Sequence, residues 1–268
     1  MTTRPGEATE IARRAVREDR DLVVAAGGDG TINEVVNGFF DGAERIESAT
    51  RLGILPMGTG GDFRRTLGMT RDPAEAARVL ASGQPRLIDA GRVTCAGPGG
   101  ETVIRHFVNI ADAGIGGDVA DMVNGGFKVI NGELTFSIAA AVTLMRWRNR
   151  RLHAVIDGEE RDLVAQQVVL ANCRYYGGGM EIAPGAKLDD GMLDLVIVGD
   201  VGRLEAMRMM GKVRHGAHFP HPKLEHRLVR RVEVTCPQPV GVDADGERPG
   251  SLPAVFEVLP GALALVAP

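Results

Sequence analysis

Short apolar runs, each followed by a glycine-rich turn, dominate the first part of the chain. Residues 22–26 are all apolar and lead into the turn 27–30, while residues 52–55 lead into a second turn at 56–61. Apolar runs of this length that end in glycine turns are typical of strands buried on both faces of a parallel sheet. The pattern therefore predicts two successive units of strand, tight turn and helix.

The first turn has a chemistry suited to phosphate. Thr31 and Glu34 have the spacing of a capping box, which predicts a helix that starts at Thr31. Glycines leave backbone N–H groups uncovered, and the start of a helix adds partial positive charge, so an anion is stabilised there. No G-x-x-x-x-G-K-[ST] pattern occurs, which excludes a Walker A loop.

The two turns together predict more than either turn alone. One glycine turn with a helix start can be a purely structural feature. In an open α/β sheet, however, turns after neighbouring strands lie at the same edge, which is where ligands bind. We therefore expect both turns to contact one phosphate-bearing ligand, with a structural role as the alternative for each.

The pattern changes after residue 88. From residue 89 onward, short β-rich runs alternate with turns, which is typical of an antiparallel β domain. One helical segment interrupts them at residues 136–147. The sequence therefore predicts an α/β domain over residues 1–88 and a β-rich domain over residues 89–268.

Composition narrows the function classes. The chain has 268 residues, a formal net charge of −4 and three cysteines without metal-site spacing. Such a charge gives no overall attraction to nucleic acid, and scattered cysteines favour reduced thiols. The first residues are polar, and the longest apolar stretch is too short to cross a bilayer. We therefore expect a cytoplasmic protein that does not bind nucleic acid.

Further motifs follow the two turns in order along the chain. They are Tyr176-Gly177-Gly178-Gly179-Met180, Lys187-Leu188-Asp189-Asp190-Gly191-Met192-Leu193-Asp194, Asp245-Gly246-Glu247 and Leu259-Pro260-Gly261-Ala262. Together with both turns they resemble the diacylglycerol kinase catalytic-domain family. That family includes bacterial lipid kinases and sphingosine and ceramide kinases, and it is related to NAD kinases. The resemblance covers nearly the whole chain.

The resemblance implies a fold and an activity. The fold is a Rossmann-like ATP-binding domain that lacks its usual first strand, followed by an antiparallel β-sandwich domain whose final strand returns to the first. The activity is magnesium-dependent transfer of the γ-phosphate of ATP to a lipid hydroxyl in phospholipid biosynthesis, with diacylglycerol as the expected substrate. Alternatives are a kinase of another lipid alcohol, such as a sphingoid base or phosphatidylglycerol, and a nucleotide-binding regulatory protein without turnover.

The resemblance also assigns site residues. Glu247 is expected to accept the proton of the attacking hydroxyl, with Asp245 as the alternative base or a supporting carboxylate. Asp29 would meet a magnesium ion or orient a donor, or else simply accept backbone N–H bonds in its turn. The residues expected to surround the nucleotide are Thr2, Gly27, Gly28, Asp29, Gly30, Thr31, Asn33, Glu34, Gly58 and Thr59.

A magnesium site is expected away from the nucleotide. The resemblance places it at the side chain of Asp190 and the carbonyl groups of Lys187 and Met192. Magnesium takes few protein oxygens and keeps several waters, so one carboxylate and two carbonyls suffice. A solvated turn between strands is the alternative for this segment.

The chain departs from the family pattern at two points. Gly61 stands where the family usually has asparagine, which puts nucleotide affinity in doubt. The strand, loop and helix that normally precede Thr2 are absent, so we expect a late gene start or a fragment, and poor stability.

One motif lies outside the family pattern. Residues 146–151, Arg-Trp-Arg-Asn-Arg-Arg, are strongly basic and hold the only tryptophan. They could contact anionic headgroups, which would make the protein peripheral at the inner membrane surface. A basic helix end favoured by the helix dipole is the alternative. The expected partners are a lipid alcohol, the membrane surface and, as a further possibility, a second copy of the chain.

Overall fold

The computed structural model describes residues 2–58, 60–125 and 132–268, without the side chains of residue 124 and residues 132–137. Thr59, one of the expected nucleotide contacts, lies outside the described residues. The helices are α1 Glu7–Arg17, α2 Asp29–Asn37, α3 Asp62–Thr66, α4 Pro73–Ser82, α5 Ile115–Asn124, α6 Gly132–Arg146 and α7 Arg203–Val213. None of these helices is long and apolar enough to cross a membrane.

The strands alternate with these helices at first and then follow one another. They are β1 Leu22–Gly27, β2 Phe40–Asp41, β3 Glu44–Arg45, β4 Arg51–Pro56, β5 Pro85–Ala96, β6 Thr102–Phe107, β7 Ile110–Gly114, β8 Arg150–Ile156, β9 Glu159–Ala165, β10 Gln167–Ala171, β11 Tyr175–Tyr176, β12 Met180–Glu181, β13 Leu193–Val198, β14 Leu224–Val229, β15 Arg231–Thr235, β16 Gly241–Ala244 and β17 Glu247–Val266.

The N-terminal unit is a small α/β layer. β1 and β4 pair in parallel, with Gly27 opposite Pro56, so both strands end at the same edge. Helix α1 packs on α2, and its buried side chains Ala8, Ala12 and Val16 recur every four residues along one face. These side chains join the apolar core that also holds the buried residues of β1, α2 and β4.

The C-terminal unit is built from antiparallel strands. β14, β13, β10, β7, β16, β17, β15, β8 and β9 follow one another across the sheet in that order. Every residue of β10 and β13 is buried. This explains why apolar residues in both strands follow one another instead of alternating with polar ones, apart from Gln167 and Asp194.

Strand β17 joins the two units. Its 20 residues pair with β16, β15 and β5, and its last residues pair in parallel with β4, Leu265 opposite Leu52. The end of the final strand thus pairs with β4 of the N-terminal unit. The boundary expected at residue 88 falls inside β5, where Ile88 packs in the N-terminal core and Val93 in the C-terminal one.

Candidate active site

The two glycine turns lie in contact at the edge where β1 and β4 end. The amides of Met57 and Gly58 donate to the Gly27 carbonyl at 3.0 and 3.2 Å. A Cβ atom on Gly58 would lie 2.3 Å from the Cα of Gly28. Only glycine allows this approach of two backbones, so Gly58 is required for the turns to form one surface.

Helix α2 starts two residues earlier than the sequence predicted. It begins at Asp29, with Gly28 as its extended N-cap residue and without a side-chain cap. The expected start at Thr31 is therefore wrong. Thr31 instead packs over Gly27, where an added Cβ would lie 2.4 Å from the Thr31 Oγ1. Gly30 faces open space and is exposed.

Glu34 explains why no capping box forms. Its carboxylate accepts from the amides of Gly6 at 3.0 Å and Ala8 at 3.1 Å, at the start of α1. The free amides at the start of α1 thus donate to the Glu34 carboxylate, which the capping-box spacing had predicted to bond the start of α2. Thr2 is exposed and lies in the segment just before α1. Glu34 of α2 holds the end of this segment through the Gly6 amide.

Asp29 fixes the second turn. Its carboxylate accepts from the backbone amides of Gly61 at 2.7 Å, Asp62 at 3.1 Å and Phe63 at 3.3 Å. This is the backbone-binding role that the sequence left open as the alternative. Gly61 has φ 87°, in the left-handed region that glycine adopts without strain and asparagine tolerates. Glycine in place of the family asparagine therefore keeps the backbone shape.

Asp62 is a buried carboxylate that the sequence analysis left out of the site. It accepts from the Arg65 guanidinium at 2.5 Å and from the Gly178 amide at 2.8 Å. Burial raises its pKa, and the neighbouring charge of Asp29 acts in the same direction. Asp62 and Arg65 thus hold the glycine loop 177–179 of the C-terminal unit against α3.

Asp245 is fully engaged by hydrogen-bond donors. One carboxylate oxygen accepts from the Asn33 side chain at 2.9 Å and the Val108 amide at 3.0 Å. The other accepts from the amides of Asn109 at 3.0 Å and Ile110 at 2.9 Å. Burial raises the pKa of Asp245 to about 6, while the donors act in the opposite direction. The carboxylate links α2 to β7 and has little capacity left for a substrate.

Glu247, two residues later, has the opposite environment. It is the exposed first residue of β17, and no donor among the described residues contacts its carboxylate. Partial burial raises its pKa, and the charge of nearby Glu34 acts in the same direction. A carboxylate with a raised pKa and free lone pairs is suited to accept a proton.

Asp89 is a second residue that the sequence analysis missed. It is buried in β5, and its carboxylate accepts from the Gly191 and Gly261 amides, both at 2.7 Å. Its own amide donates to the Leu188 carbonyl at 2.6 Å. The available signal was an aspartate inside an apolar run, which is unusual unless the carboxylate has partners.

The expected magnesium ligands lie on the loop that Asp89 holds. Asp190 is exposed, and its Oδ1 accepts from the Met192 amide at 3.1 Å, which leaves Oδ2 for another partner. Lys187 is exposed on the same loop. The described residues contain no group of three or more His, Cys, Asp or Glu placed for a metal. One carboxylate oxygen with two carbonyls fits a largely hydrated magnesium ion, and the site stays a prediction.

An apolar cavity of about 80 Å³ lies between helices α6 and α7 and the sheet. Its walls are Ile115, Leu144 and Met209, and its polar side is formed by Gln167 and Tyr176. Such a cavity suits a hydrocarbon group whose polar end is held by the amide and the hydroxyl.

The structure groups most of the expected residues at one cleft. Asn33 bonds Asp245, Gly28 contacts Gly58, and Glu34 lies near Glu247. The expected magnesium ligands form a separate loop, connected to the cleft side of the molecule through Asp89.

The chain is similar to known proteins over nearly all of its length. Residues 1–93 match the diacylglycerol kinase catalytic domain, and residues 109–267 match the YegS C-terminal NAD kinase beta sandwich-like domain. The chain is 33% identical to the diacylglycerol kinase of Bacillus subtilis strain 168 over 258 residues, which cover 95% of this chain and 80% of that protein. It is 30% identical to the diacylglycerol kinase of Staphylococcus carnosus over 255 residues, which cover 95% and 79%.

Solved structures share the fold. A crystal structure of a diacylglycerol kinase from Bacillus anthracis strain Sterne superposes with a TM-score of 0.70 at 23% identity, covering 100% of this chain and 83% of that one. Yeast NADH kinase complexed with NADH superposes with a TM-score of 0.53 at 13% identity, covering 91% and 60%. These comparisons confirm the fold class and the family resemblance expected from the sequence.

Proposed function

The chain belongs to the diacylglycerol kinase family, and on that premise we propose that it transfers the γ-phosphate of ATP to a lipid hydroxyl. Diacylglycerol is the proposed acceptor and phosphatidic acid the product, which would place the reaction in phospholipid biosynthesis. The support for the acceptor is what the relatives are named for, together with the apolar cavity between α6, α7 and the sheet.

The contact between the two glycine turns supports the nucleotide part of the proposal. Both turns end parallel strands at one edge, and the first is followed by α2, whose first amides can face an anion. The amides at the start of α3 instead donate to Asp29. Gly27, Gly28, Gly30 and Gly58 would give the phosphates access to the backbone. Thr31, Asn33 and Glu34 would then stabilise the first turn through contacts with the protein instead of each binding a phosphate.

The observation that carries the mechanism is the contrast between Asp245 and Glu247. Asp245 has its lone pairs occupied by four donors, whereas Glu247 is exposed and without a donor among the described residues. We propose that Glu247 accepts the proton of the attacking hydroxyl. Asp245 would position the backbone of residues 108–110 and the Asn33 side chain. Asp29 positions the second turn in the same way.

A bound magnesium ion would screen the charge of the transferring phosphoryl group. Asp190, with the carbonyls of Lys187 and Met192, would hold a magnesium ion in the loop, where it would keep the turn in shape. The proposal includes a cytoplasmic protein that visits the membrane surface, since its acceptor is a lipid. A homodimer stays a prediction.

The experiment is ATP consumption by the purified protein with magnesium, measured against lipid alcohols in mixed micelles. Diacylglycerol, a sphingoid base and phosphatidylglycerol are compared with micelles that hold no acceptor. Turnover stimulated by diacylglycerol alone is the expected result. Stimulation by another lipid would identify that lipid as the acceptor instead of diacylglycerol. ATP binding without turnover on any lipid would favour the regulatory alternative, and Gly61→Asn would then be the next variant.

A further inference from the structure

Two buried carboxyl groups that the proposed reaction does not use lie next to each other in the sheet. Asp112 of β7 and Asp243 of β16 are directly opposite each other in the antiparallel pairing, and they are 2% and 8% exposed. Side chains at opposite positions leave a sheet on the same face, with Cβ atoms about 4.5–5.5 Å apart. The two short side chains can therefore bring their carboxyl groups together.

Each carboxyl group has one oxygen without a partner. Among the described residues, nothing bonds the Oδ1 of Asp112 or the Oδ2 of Asp243, and neither group forms an ion pair. Buried polar atoms are nearly always hydrogen-bonded, so two such oxygens at one place need an explanation. A proton between the two groups supplies it, because a protonated carboxyl oxygen donates to a carboxylate oxygen.

The surroundings of the pair favour retention of a proton. Burial raises the pKa of Asp112 to about 7, while a hydrogen bond from Gln167 acts in the opposite direction. Burial and the charge of Asp112 raise the pKa of Asp243 well above its usual range. In the described part of the chain, the titratable groups that interact with the pair bring no positive charge; they are Tyr176, Asp245 and Glu247. Two ionised carboxylates here would repel each other without a counter-charge.

The other oxygen of Asp243 is bonded to the turn that carries Glu247. The Oδ1 of Asp243 accepts from the Gly246 amide at 3.1 Å, and Gly246 directly precedes Glu247 with φ 87°, in the left-handed region. The pairing of β16 with β17 shifts its register at Asp243, so this residue lies at a β-bulge. Bulges next to active sites set the direction of nearby side chains. The Asp243 side chain thus adds a bond across the turn where the ladder is irregular.

Asp112 is held on its other side by helix α5. A Cβ atom on Gly116, in the first turn of α5, would lie 2.2 Å from the Oδ2 of Asp112. The carboxyl group therefore lies directly against the helix backbone, which leaves it little room to turn away from Asp243. The pair thus forms a continuous connection from the start of α5 to the turn of Glu247.

We propose that Asp112 and Asp243 share one proton and that this proton positions the turn of Glu247. With the proton in place, Asp243 is bonded to Asp112 through one oxygen and to the Gly246 amide through the other. Without it, the two carboxylates repel each other and the bond to Gly246 is displaced. Both aspartates act through the turn, so they are positioning residues. The positioning of Glu247 rests on the proposed function, whereas the shared proton does not.

The shared proton is tested by infrared difference spectroscopy at neutral pH, which detects the C=O stretch of a protonated carboxyl group. Asp112→Asn, Asp243→Asn and the double variant are each compared with the wild-type protein. Each single variant should lose the same band, because the new amide N–H₂ replaces the proton as the donor, and the double variant should lose no more. Asp162→Asn, exposed on β9 of the same sheet, is the control and should lose no band.

Two results would overturn the shared proton. Losses that add up in the double variant would show two separate acids, and the absence of any loss would show an ionised pair.

Positioning is tested by amide exchange at Gly246, measured by NMR on glycine-labelled protein. Asp112→Ala leaves Asp243 without its partner, so exchange at Gly246 should become about 10-fold faster or more. Asp112→Asn keeps a donor and should stay within about twofold of the wild-type rate. The Gly199 amide, bonded to the Lys223 carbonyl, is the internal control. Equal acceleration at Gly199 would indicate general destabilisation and would contradict the positioning role.

Lipid-dependent turnover separates this inference from the proposed function. In Asp112→Ala, kcat should fall roughly 10- to 100-fold at an unchanged KM for ATP, and Asp112→Asn should restore it to within about threefold. Wild-type kcat in Asp112→Ala would overturn the positioning of Glu247. Absence of turnover in the wild-type protein would refute the proposed function, and the infrared and exchange results would still decide whether the proton is shared.

Discussion

The carboxylates along the cleft and those between β7 and β16 are held in opposite ways. Asp29, Asp89 and Asp245 each accept two or more backbone amides from loops distant in sequence. Asp112 and Asp243 instead lie opposite each other across β7 and β16, and each has an oxygen without a partner. The first group connects loops through its hydrogen bonds. In the second pair, burial raises the pKa of both carboxyl groups.

Glu247 belongs to neither group. It is neither tied to backbone amides, as Asp245 is, nor buried beside a second carboxylate, as Asp243 is. The difference teaches that a carboxylate in the same short segment can connect loops, retain a proton or remain available for chemistry. The hydrogen-bond donors around each carboxylate decide which of these roles it has. Substitutions can separate the three roles.

The largest effect is expected at Asp245. Asp245→Asn turns an amide N–H₂ toward backbone amides that now donate to a carboxylate oxygen, so these amides lose their acceptor. Hydrogen bonds to charged groups contribute about 1.5–3 kcal/mol each, so we expect a loss of at least ~3 kcal/mol in the free energy of unfolding. Denaturant unfolding measures it. Asp189→Asn, at an exposed position, is the control, and equal stability of both variants would contradict the connector role.

A smaller effect is expected where the two turns meet. Gly58→Ala places a Cβ 2.3 Å from the Gly28 Cα, so the turns must separate. Overpacking of this kind costs about 1–3 kcal/mol, which corresponds to ATP binding weaker by roughly 5- to 150-fold if the turns share the nucleotide. Calorimetric titration measures the affinity. Gly211→Ala in α7, where an added Cβ meets nothing, should leave it unchanged.

Loss of stability without loss of ATP affinity in Gly58→Ala would contradict the shared site. The turns would then be structural only, which is the alternative that the sequence left open.

The smallest change within any one pH unit is expected from the buried pair. Burial raises the pKa of Asp112 from 3.8 to about 7. In the folded state the group therefore keeps a proton that the unfolded chain loses near pH 3.8. Its contribution to stability is complete below that pH and is lost as the pH rises toward 7, by at most ~1.4 kcal/mol per pH unit. Asp112→Asn should remove this slope. Unfolding free energies measured across the range check it, and parallel curves would contradict the assignment.

Much of the fold could be predicted from the sequence because its signals are local. Apolar runs that end in glycine turns specify β1 and β4, and short, largely apolar runs specify β10 and β13. The pairing of β17 with β4 could not be derived from periodicity, since it joins residues more than 200 positions apart; only the family resemblance indicated it.

Site residues could be predicted where a suitable residue type occurs at a known motif spacing. They could not be predicted where their hydrogen-bond partners are far away in the sequence. Glu34 has capping-box spacing but bonds α1, because the amides of α1 lie nearer in space. Asp62 and Asp89 gave little signal, since their partners at Gly178, Gly191 and Gly261 are supplied by other loops. The apolar cavity has no motif at all, because any hydrophobic side chain can form its wall.

The most direct measurement compares Glu247→Gln with the wild-type protein for ATP binding and for lipid-dependent turnover. General base catalysis contributes roughly 10²- to 10⁴-fold, so turnover should fall by at least about 100-fold. ATP affinity should change little, since the Glu247 carboxylate holds no turn in place. Glu160→Gln, at an exposed position on β9, should behave as the wild type. Full turnover in Glu247→Gln would contradict the account and show that another group accepts the proton.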